Sequence, residues 1–427
     1  MIRFKNGKVL TLDGGCTVED SEVWTDGDKI SFVGTPTDEQ LKDTVFDREI
    51  DLDGDLLMPS FKNAHTHSAM TFLRSYADDL PLQEWLFNRV FPMEAKLTGR
   101  DVYWFTKLAI LEYLTSGVTA SFDMYFELDD YVKANLESGF RSVMCDAVSG
   151  ERDRAAEVEQ RYLKYNGIDP LISFRLGFHA EYTATYGLIE EIGALAEKYK
   201  APVCTHNSET AREVNECIER YGMTPNKLFD TLGLYKYGGT QFHCVHLTNE
   251  DMGILARRGV YAVSCPASNL KLASGIAPIT DMLAKGVQVG LGTDGPASNN
   301  ALDMFREMYL MSVLQKYRND DAASLPADEV LKAACSVSAK AMGLDNCDCI
   351  AVGKQADLTV IDLKQPNMQP LHNIPKNIVY SGSKQNVKLT MCAGKVLYEN
   401  GSFFIGEDTK RIYAKCNEHC RKLEARD

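Results

Sequence analysis

The sequence predicts a (β/α)8 barrel with a second, smaller strand-rich domain built from both chain ends. Three observations lead there. Eight strand-like runs alternate with helix-patterned segments across residues 58–344, the order of a parallel barrel. Hairpin-textured segments open the chain and return after residue 345. Five of the eight histidines stand at or just beyond the C-terminal end of an expected barrel strand, the face on which barrels build active sites. A chain of 427 residues, 44% apolar and 25% charged, has the size and composition for both parts.

Residues 1–57 form the N-terminal part of the strand-rich domain. Ile2-Arg3-Phe4 precedes Asn6-Gly7, Val9–Leu12 precedes Asp13-Gly14-Gly15, and Lys29–Val33 follows Asp26-Gly27-Asp28. Short alternating runs set off by such turns read as strands and hairpins. The barrel strands are expected at Leu56–Phe61, Thr119–Met124, Arg141–Ala147, Leu171–Phe178, Pro202–Thr205, Thr240–His243, Val260–Ser264 and Val287–Leu291. Helical patterns such as Asp101–Thr115, Gly187–Lys198 and Asn249–Arg257 lie between them. Residues 345–427 complete the strand-rich domain with Asp357–Ile361, Val387–Met391 and Gly394–Tyr398, followed by a charged, helix-permissive stretch from Lys410 to Asp427.

Composition excludes several function classes. A net charge of −14 with no basic block argues against nucleic-acid binding. No apolar run is long enough to cross a bilayer, and Met1–Gly7 lacks a signal-peptide core, so no membrane role and a cytoplasmic location are expected. The twelve cysteines are scattered, with only Cys347-x-Cys349 and Cys416-x3-Cys420 close together; they read as reduced thiols. A small-molecule substrate fits this profile, and a homo-oligomer is compatible with it.

The chemistry gathers at strand ends. In Asn63-Ala64-His65-Thr66-His67, residues two apart point to the same side of an extended segment, so two imidazoles can reach one metal. Alone His-x-His is a weak signal; its place after the first barrel strand strengthens it. The fifth strand leads into His206-Asn207-Ser208-Glu209 and the eighth into Gly292-Thr293-Asp294-Gly295. Three nitrogens and one carboxylate suit Zn²⁺, with Fe²⁺ or Mn²⁺ as alternatives.

These motifs, with Gln83–Phe87, Asp123–Phe126, His243-Cys244-Val245-His246-Leu247, Pro266-Ala267-Ser268-Asn269-Leu270-Lys271-Leu272 and Gly292–Asn300, resemble the amidohydrolase superfamily. The resemblance is to its branch of adenosine-type nucleoside deaminases, and the nearest pattern is that of the 5′-methylthioadenosine/S-adenosylhomocysteine deaminases. It implies one divalent metal on His65, His67, His206 and Asp294. The fourth strand ends Leu176-Gly177-Phe178-His179, without the lysine that bridges two metals elsewhere in the superfamily. It further implies Glu209 as proton donor to the ring nitrogen, Asp294 as the base that takes a proton from water, and His243 as a hydrogen-bonding stabiliser, with His246 in support. Glu94 is expected at the ribose hydroxyls, His179 at the base or ribose, and Trp85 over the pocket. The expected reaction converts an adenosine-type nucleoside (adenosine, 5′-methylthioadenosine, 5′-deoxyadenosine or S-adenosylhomocysteine) to the inosine-type product and ammonia.

The alternatives are an amidohydrolase acting on guanine, a pterin, a chlorotriazine or a cyclic amide, and a non-catalytic barrel that scaffolds a partner. A cytidine-deaminase fold is excluded because His179-Ala180-Glu181 has no Pro-Cys-x-x-Cys to accompany it. One departure from the pattern stands at the end of the third strand. The family there carries an arginine associated with the substrate's amino-acid carboxylate, and this chain has Asp146. Asp146 is expected to face the pocket and repel a carboxylate, with Arg152 and Arg154 as the nearby cations.

Overall fold

The computed structural model describes residues 1–426 and contains two sheets. Eight strands pair in chain order, every neighbour parallel: β1 (Phe61–Thr66), β2 (Val118–Tyr125), β3 (Arg141–Asp146), β4 (Ile172–Ala180), β5 (Val203–Asn207), β6 (Gly239–His243), β7 (Val260–Ser264) and β8 (Val289–Leu291). Most of these strands are buried along their whole length, as expected where helices cover a parallel sheet. Just beyond the short β8, the backbone N–H of Asp294 donates to the carbonyl of His65 (3.0 Å) and Asn63 Oδ1 accepts from the Thr293 N–H. These bonds bring the ends of β8 and β1 together. The approach requires glycine at 292, because a Cβ there would lie 2.7 Å from the His65 backbone nitrogen.

The second sheet combines strands from both ends of the chain. Ile2–Leu10, Val18–Asp26, Lys29–Gly34, Arg48–Asp51 and Leu56–Pro59 are joined by Leu358–Ile361, Val387–Cys392, Lys395–Glu399 and Ser402–Phe403. The hairpin at Asp26-Gly27-Asp28 forms as expected. Asn6-Gly7 does not end a strand. Ile2–Leu10 runs through it with a register shift, and Asn6 takes a left-handed φ of 57°, so the dipeptide makes a bulge.

The first barrel strand also lies elsewhere than expected. Leu56–Pro59 pairs with Ile2–Leu10 and with Leu358–Ile361 in the second sheet, and the barrel strand begins at Phe61. His65 therefore sits within β1, and His67 follows one residue beyond it. Under the barrel, Asp357, just ahead of the strand Leu358–Ile361, accepts from Arg141 of β3 (3.2 Å) and lies 3.7 Å from the fully buried Lys62 of β1.

The helices Gly99–Thr115, Tyr186–Tyr199 and Asn249–Arg258 match their expected patterns closely. The C-terminal helix Thr409–Glu424 packs on Gly99–Thr115, where His419 and Arg426 both reach Asp101; Asp427 lies outside the described residues. Among the described residues no helix is long and apolar enough to cross a membrane.

Candidate metal centre and pocket

Strand alternation sends His65 and His67 to one side of β1. Opposite them stand His206, near the end of β5, and Asp294, three residues past β8. Asp294 Oδ1 lies 3.5 Å from His65 Nε2 and 3.3 Å from His67 Nε2, and the Nε2 atoms of His67 and His206 are 3.3 Å apart. His65, His67 and Asp294 offer donors within 4.8 Å of one another, and so do His65, His206 and His243. All five side chains are buried.

The surroundings suit a cation. His67 Nδ1 meets the carbonyl of Met124, and His206 Nδ1 meets that of His179, both at 2.7 Å. These contacts protonate Nδ1 and turn Nε2 inward as a ligand, the usual arrangement behind a metal-binding histidine. Neither ring nitrogen of the fully buried His65 has a hydrogen-bond partner in the protein, a costly state unless something else binds it. Burial holds His65 down at about 3 and keeps His206 well below the ordinary range. Burial acts against ionised Asp294, yet its contacts with His65 and His67 keep it well below the usual carboxylate range. Burial opposes protonation of His67, but Asp294 outweighs it and raises this imidazole to about 9, so His67 must give up a proton to a bound cation. With that proton gone, three neutral imidazoles beside an ionised carboxylate are the donor set of a divalent metal.

Asp294 is oriented from its far side. Ser268 Oγ (2.6 Å) and Ser298 Oγ (2.8 Å) both donate to Oδ2, while the Gly295 N–H donates to Oδ1 (2.7 Å). Asp294 has a left-handed φ of 60° and His243 one of 70°, conformations that cost non-glycine residues energy and cluster at functional sites. His243 Nδ1 meets Asn269 Oδ1 at 2.8 Å, leaving Nε2 to face Glu209 Oε2 at 4.0 Å. Burial opposes protonation of His243, but the Glu209 and Asp294 carboxylates outweigh it and raise its pKa.

Glu209 is 4% exposed. Burial raises its pKa, the nearby His243 works against the rise and Asp294 adds to it. Its loop is held by Glu213, whose two carboxylate oxygens accept the N–H groups of Ser208 and Glu209 at 2.8 Å each. Ser274 Oγ donates to Glu209 Oε1 (3.3 Å), and His246 Nε2 meets the Ser274 carbonyl (2.7 Å). His246 thus supports the Glu209 side of the site.

These groups open on one cavity of about 540 Å³, lined among others by Trp85, Glu94, His179, Glu209, His243 and Asp294. That is within the range of about 300–1,000 Å³ typical of small-molecule sites. Burial pushes the Glu94 carboxyl up to about 7, and neither its Oε1 nor the Tyr125 hydroxyl has a protein partner. His179 presents its ring to the cavity while Nδ1 meets Thr183 Oγ1 (3.0 Å).

Asp146 is not among the lining residues, contrary to expectation. Arg161, a partly exposed helix residue fifteen positions on, donates to both carboxylate oxygens of the buried Asp146 (2.7 and 2.9 Å) and pairs with it. The β3 loop instead turns Ala147, Ser149 and Arg154 toward the cavity. Arg154 is the only lysine or arginine in its lining, and it is bound through Nε and Nη2 to Glu157 at 2.9 Å each. Arg152 pairs outward with Glu190 and Glu191.

Comparison with known proteins agrees with this architecture. The model of the amidohydrolase family matches residues 56–397. A 5-methylthioadenosine/S-adenosylhomocysteine deaminase of Caldanaerobacter subterraneus subsp. tengcongensis is 38% identical, over 98% of each chain. One from Syntrophomonas wolfei subsp. wolfei is 42% identical over 88% of this chain and 89% of the relative. Among solved structures, an adenosine deaminase from Xanthomonas campestris with bound zinc superposes with a TM-score of 0.93 at 33% identity, covering 100% of this chain and 99% of the other.

Proposed function

From the chain's membership of the amidohydrolase family, to which it belongs as a hydrolytic deaminase, we propose that it deaminates neutral adenosine-type nucleosides with one bound Zn²⁺. The observation that carries the proposal is Glu209: a buried carboxyl with a raised pKa, facing the same cavity as a histidine–aspartate cluster. Relatives named as 5-methylthioadenosine/S-adenosylhomocysteine deaminases and a zinc-containing adenosine deaminase support deamination of an adenosine-type nucleoside.

His65, His67, His206 and Asp294 would hold the metal. When bound, it supplies Lewis acidity that lowers the pKa of water towards about 7. The chain's own groups manage the protons. Hydrolysis replaces the exocyclic amine of the purine by oxygen: water adds to the ring carbon, and ammonia leaves. The adjacent ring nitrogen must gain a proton as the water adds, and the raised pKa of Glu209 keeps one on its carboxyl for that transfer. Asp294, ionised and fixed by two serine hydroxyls, accepts a proton from the water and returns it to the departing amine; as ammonia leaves and the ring carbonyl forms, the hydroxyl proton of the adduct returns to Glu209. His243 donates a hydrogen bond from Nε2 to the incoming oxygen. Glu94, with an oxygen free of protein partners, receives the ribose hydroxyls; His179 contacts the base or ribose, and Trp85 covers the pocket.

The direct test is ammonia release from adenosine, 5′-methylthioadenosine, 5′-deoxyadenosine, S-adenosylhomocysteine, guanine and pterins. Turnover confined to guanine or pterins would defeat the nucleoside reading. Elemental analysis of protein reloaded with Zn²⁺ or Mn²⁺ is expected to give about one equivalent per chain, and two tightly held equivalents would overturn the mononuclear assignment.

The preference for neutral substrates rests on Arg154. A carboxylated 5′ substituent entering the cavity would find this guanidinium already bidentate with Glu157, which in turn accepts from Arg161 (3.1 Å), the partner of Asp146. Two acids and two bases close a neutral chain, so a substrate carboxylate must displace Glu157 to gain a charge-assisted pair. The ratio of kcat/KM for 5′-methylthioadenosine over S-adenosylhomocysteine is expected to exceed one. Glu157→Gln should lower that ratio about tenfold, the scale of one hydrogen bond to a charged group. A parent enzyme that favours S-adenosylhomocysteine, or an unchanged ratio in the variant, would count against this account.

A further inference from the structure

Glu307 lies in the first turn of the helix Met304–Arg318, with no exposed surface and no cavity contact. Burial pushes its carboxyl up to about 8, and each of its oxygens has a hydrogen-bond partner. Oε2 accepts the backbone N–H of Ala267 at 3.0 Å, and Oε1 accepts from Asn299 Nδ2 at 2.8 Å. The Ala267 N–H is one of the donors that the helix Pro266–Lys271 leaves unpaired at its start. Asn299 Nδ2 also donates to the Thr293 carbonyl (2.6 Å), clamping the turn that carries Asp294.

The two segments joined in this way supply the hydrogen bonds that orient the reacting groups. Ser268 and Asn269, next to Ala267, hold Asp294 Oδ2 and His243 Nδ1; Ser298, next to Asn299, holds Asp294 Oδ2 from another side. We infer that Glu307 is a positioning residue: one buried carboxyl group staples the β7 and β8 loops together and thereby sets the orientations of Asp294 and of the His243 ring. Glutamine cannot replace it, because both partners are donors and an amide offers only one acceptor oxygen. This rests on the roles proposed above for Asp294 and His243.

The test compares the parent with Glu307→Gln and with Leu195→Ala, a core truncation in the helix between β4 and β5. Each protein is reloaded with Co²⁺, and its visible absorption spectrum, Tm and steady-state kinetics on 5′-methylthioadenosine are measured. Glu307→Gln should keep about one metal per chain but shift the Co²⁺ bands and lower kcat about 10–100-fold, the usual range for groups that orient metal ligands. KM should stay within about twofold, since Glu307 touches neither the cavity nor the substrate. Leu195→Ala should lower Tm and leave the spectrum and kcat at parental values. If Glu307→Gln does not fold, Asn299→Ser cuts one half of the staple and should move the same two readouts. Parental bands and a kcat within about threefold in the folded variant would overturn the inference, whatever happens to Tm. A parent that deaminates no adenosine-type nucleoside would defeat the functional proposal instead, while the Co²⁺ spectra still decide the staple.

Discussion

Glu209→Gln is expected to retain its metal and lose turnover by about 10²–10⁴-fold, the contribution typical of a positioned acid or base. The amide nearly matches the carboxyl in shape but has no acidic proton for the ring nitrogen. The supports of the loop survive the change: Glu213 still binds the backbone N–H groups at positions 208 and 209, and His246 still holds Ser274. The loss should therefore fall on kcat, with little change in metal content. The pH profile gives the sign. Burial raises the Glu209 pKa, so the protonated donor is present below that pKa and is lost as pH rises through it; the alkaline limb of kcat in the parent should follow this titration. Stability should move the other way. A group whose folded pKa is raised destabilises the fold once it ionises. The neutral amide of the variant removes that penalty, so its Tm at pH 8 should equal or exceed the parent's. A variant within threefold of the parent would remove Glu209 from the proton path.

Much of this site was legible because its residues lie where strand periodicity and barrel geometry act locally. The His65-x-His67 spacing needs only an extended segment, and His206 and Asp294 needed only a strand end ahead of them. What could not be read depends on contacts between elements distant in sequence. Arg161 meets Asp146 because the helix after β3 folds back over the strand's end, and nothing in Val143–Val148 announces that partner. Glu307 looks like an ordinary first-turn glutamate until two loops close around it. The boundary at β1 failed for another reason. Leu56–Pro59 is as buried and apolar as a barrel strand because it is the central crossing of the second sheet, and apolar character alone does not say which sheet a strand joins. The runs Pro266–Leu272 and Gly292–Asn300 were visible as motifs, but the serines and asparagines within them act through side-chain directions that appear only once β7 and β8 are neighbours.

Asp294→Ala should cost the most, because the residue serves two ends. Its Oδ1 faces His65 and His67 while Oδ2 takes the hydroxyls of Ser268 and Ser298. Removing it subtracts the one anion that offsets a dication among the cluster's imidazoles, and it leaves two buried hydroxyls without their acceptor. Three imidazoles can still hold a metal, so affinity should fall at least about 10–100-fold and not vanish. Turnover should fall further than affinity explains, since the proton acceptor is gone as well: with saturating Zn²⁺ the residual kcat should lie about 10³-fold or more below the parent, beyond the usual worth of a single acid or base. Asp294→Asn separates the two parts. The amide oxygen can still ligate weakly and the residue keeps its volume, so metal binding should recover more than kcat does. Metal content measured by elemental analysis beside kcat at saturating Zn²⁺ reads both. If Asp294→Asn regains turnover in step with its metal, Asp294 is a ligand only, and the proton must leave the water through another group in the cavity.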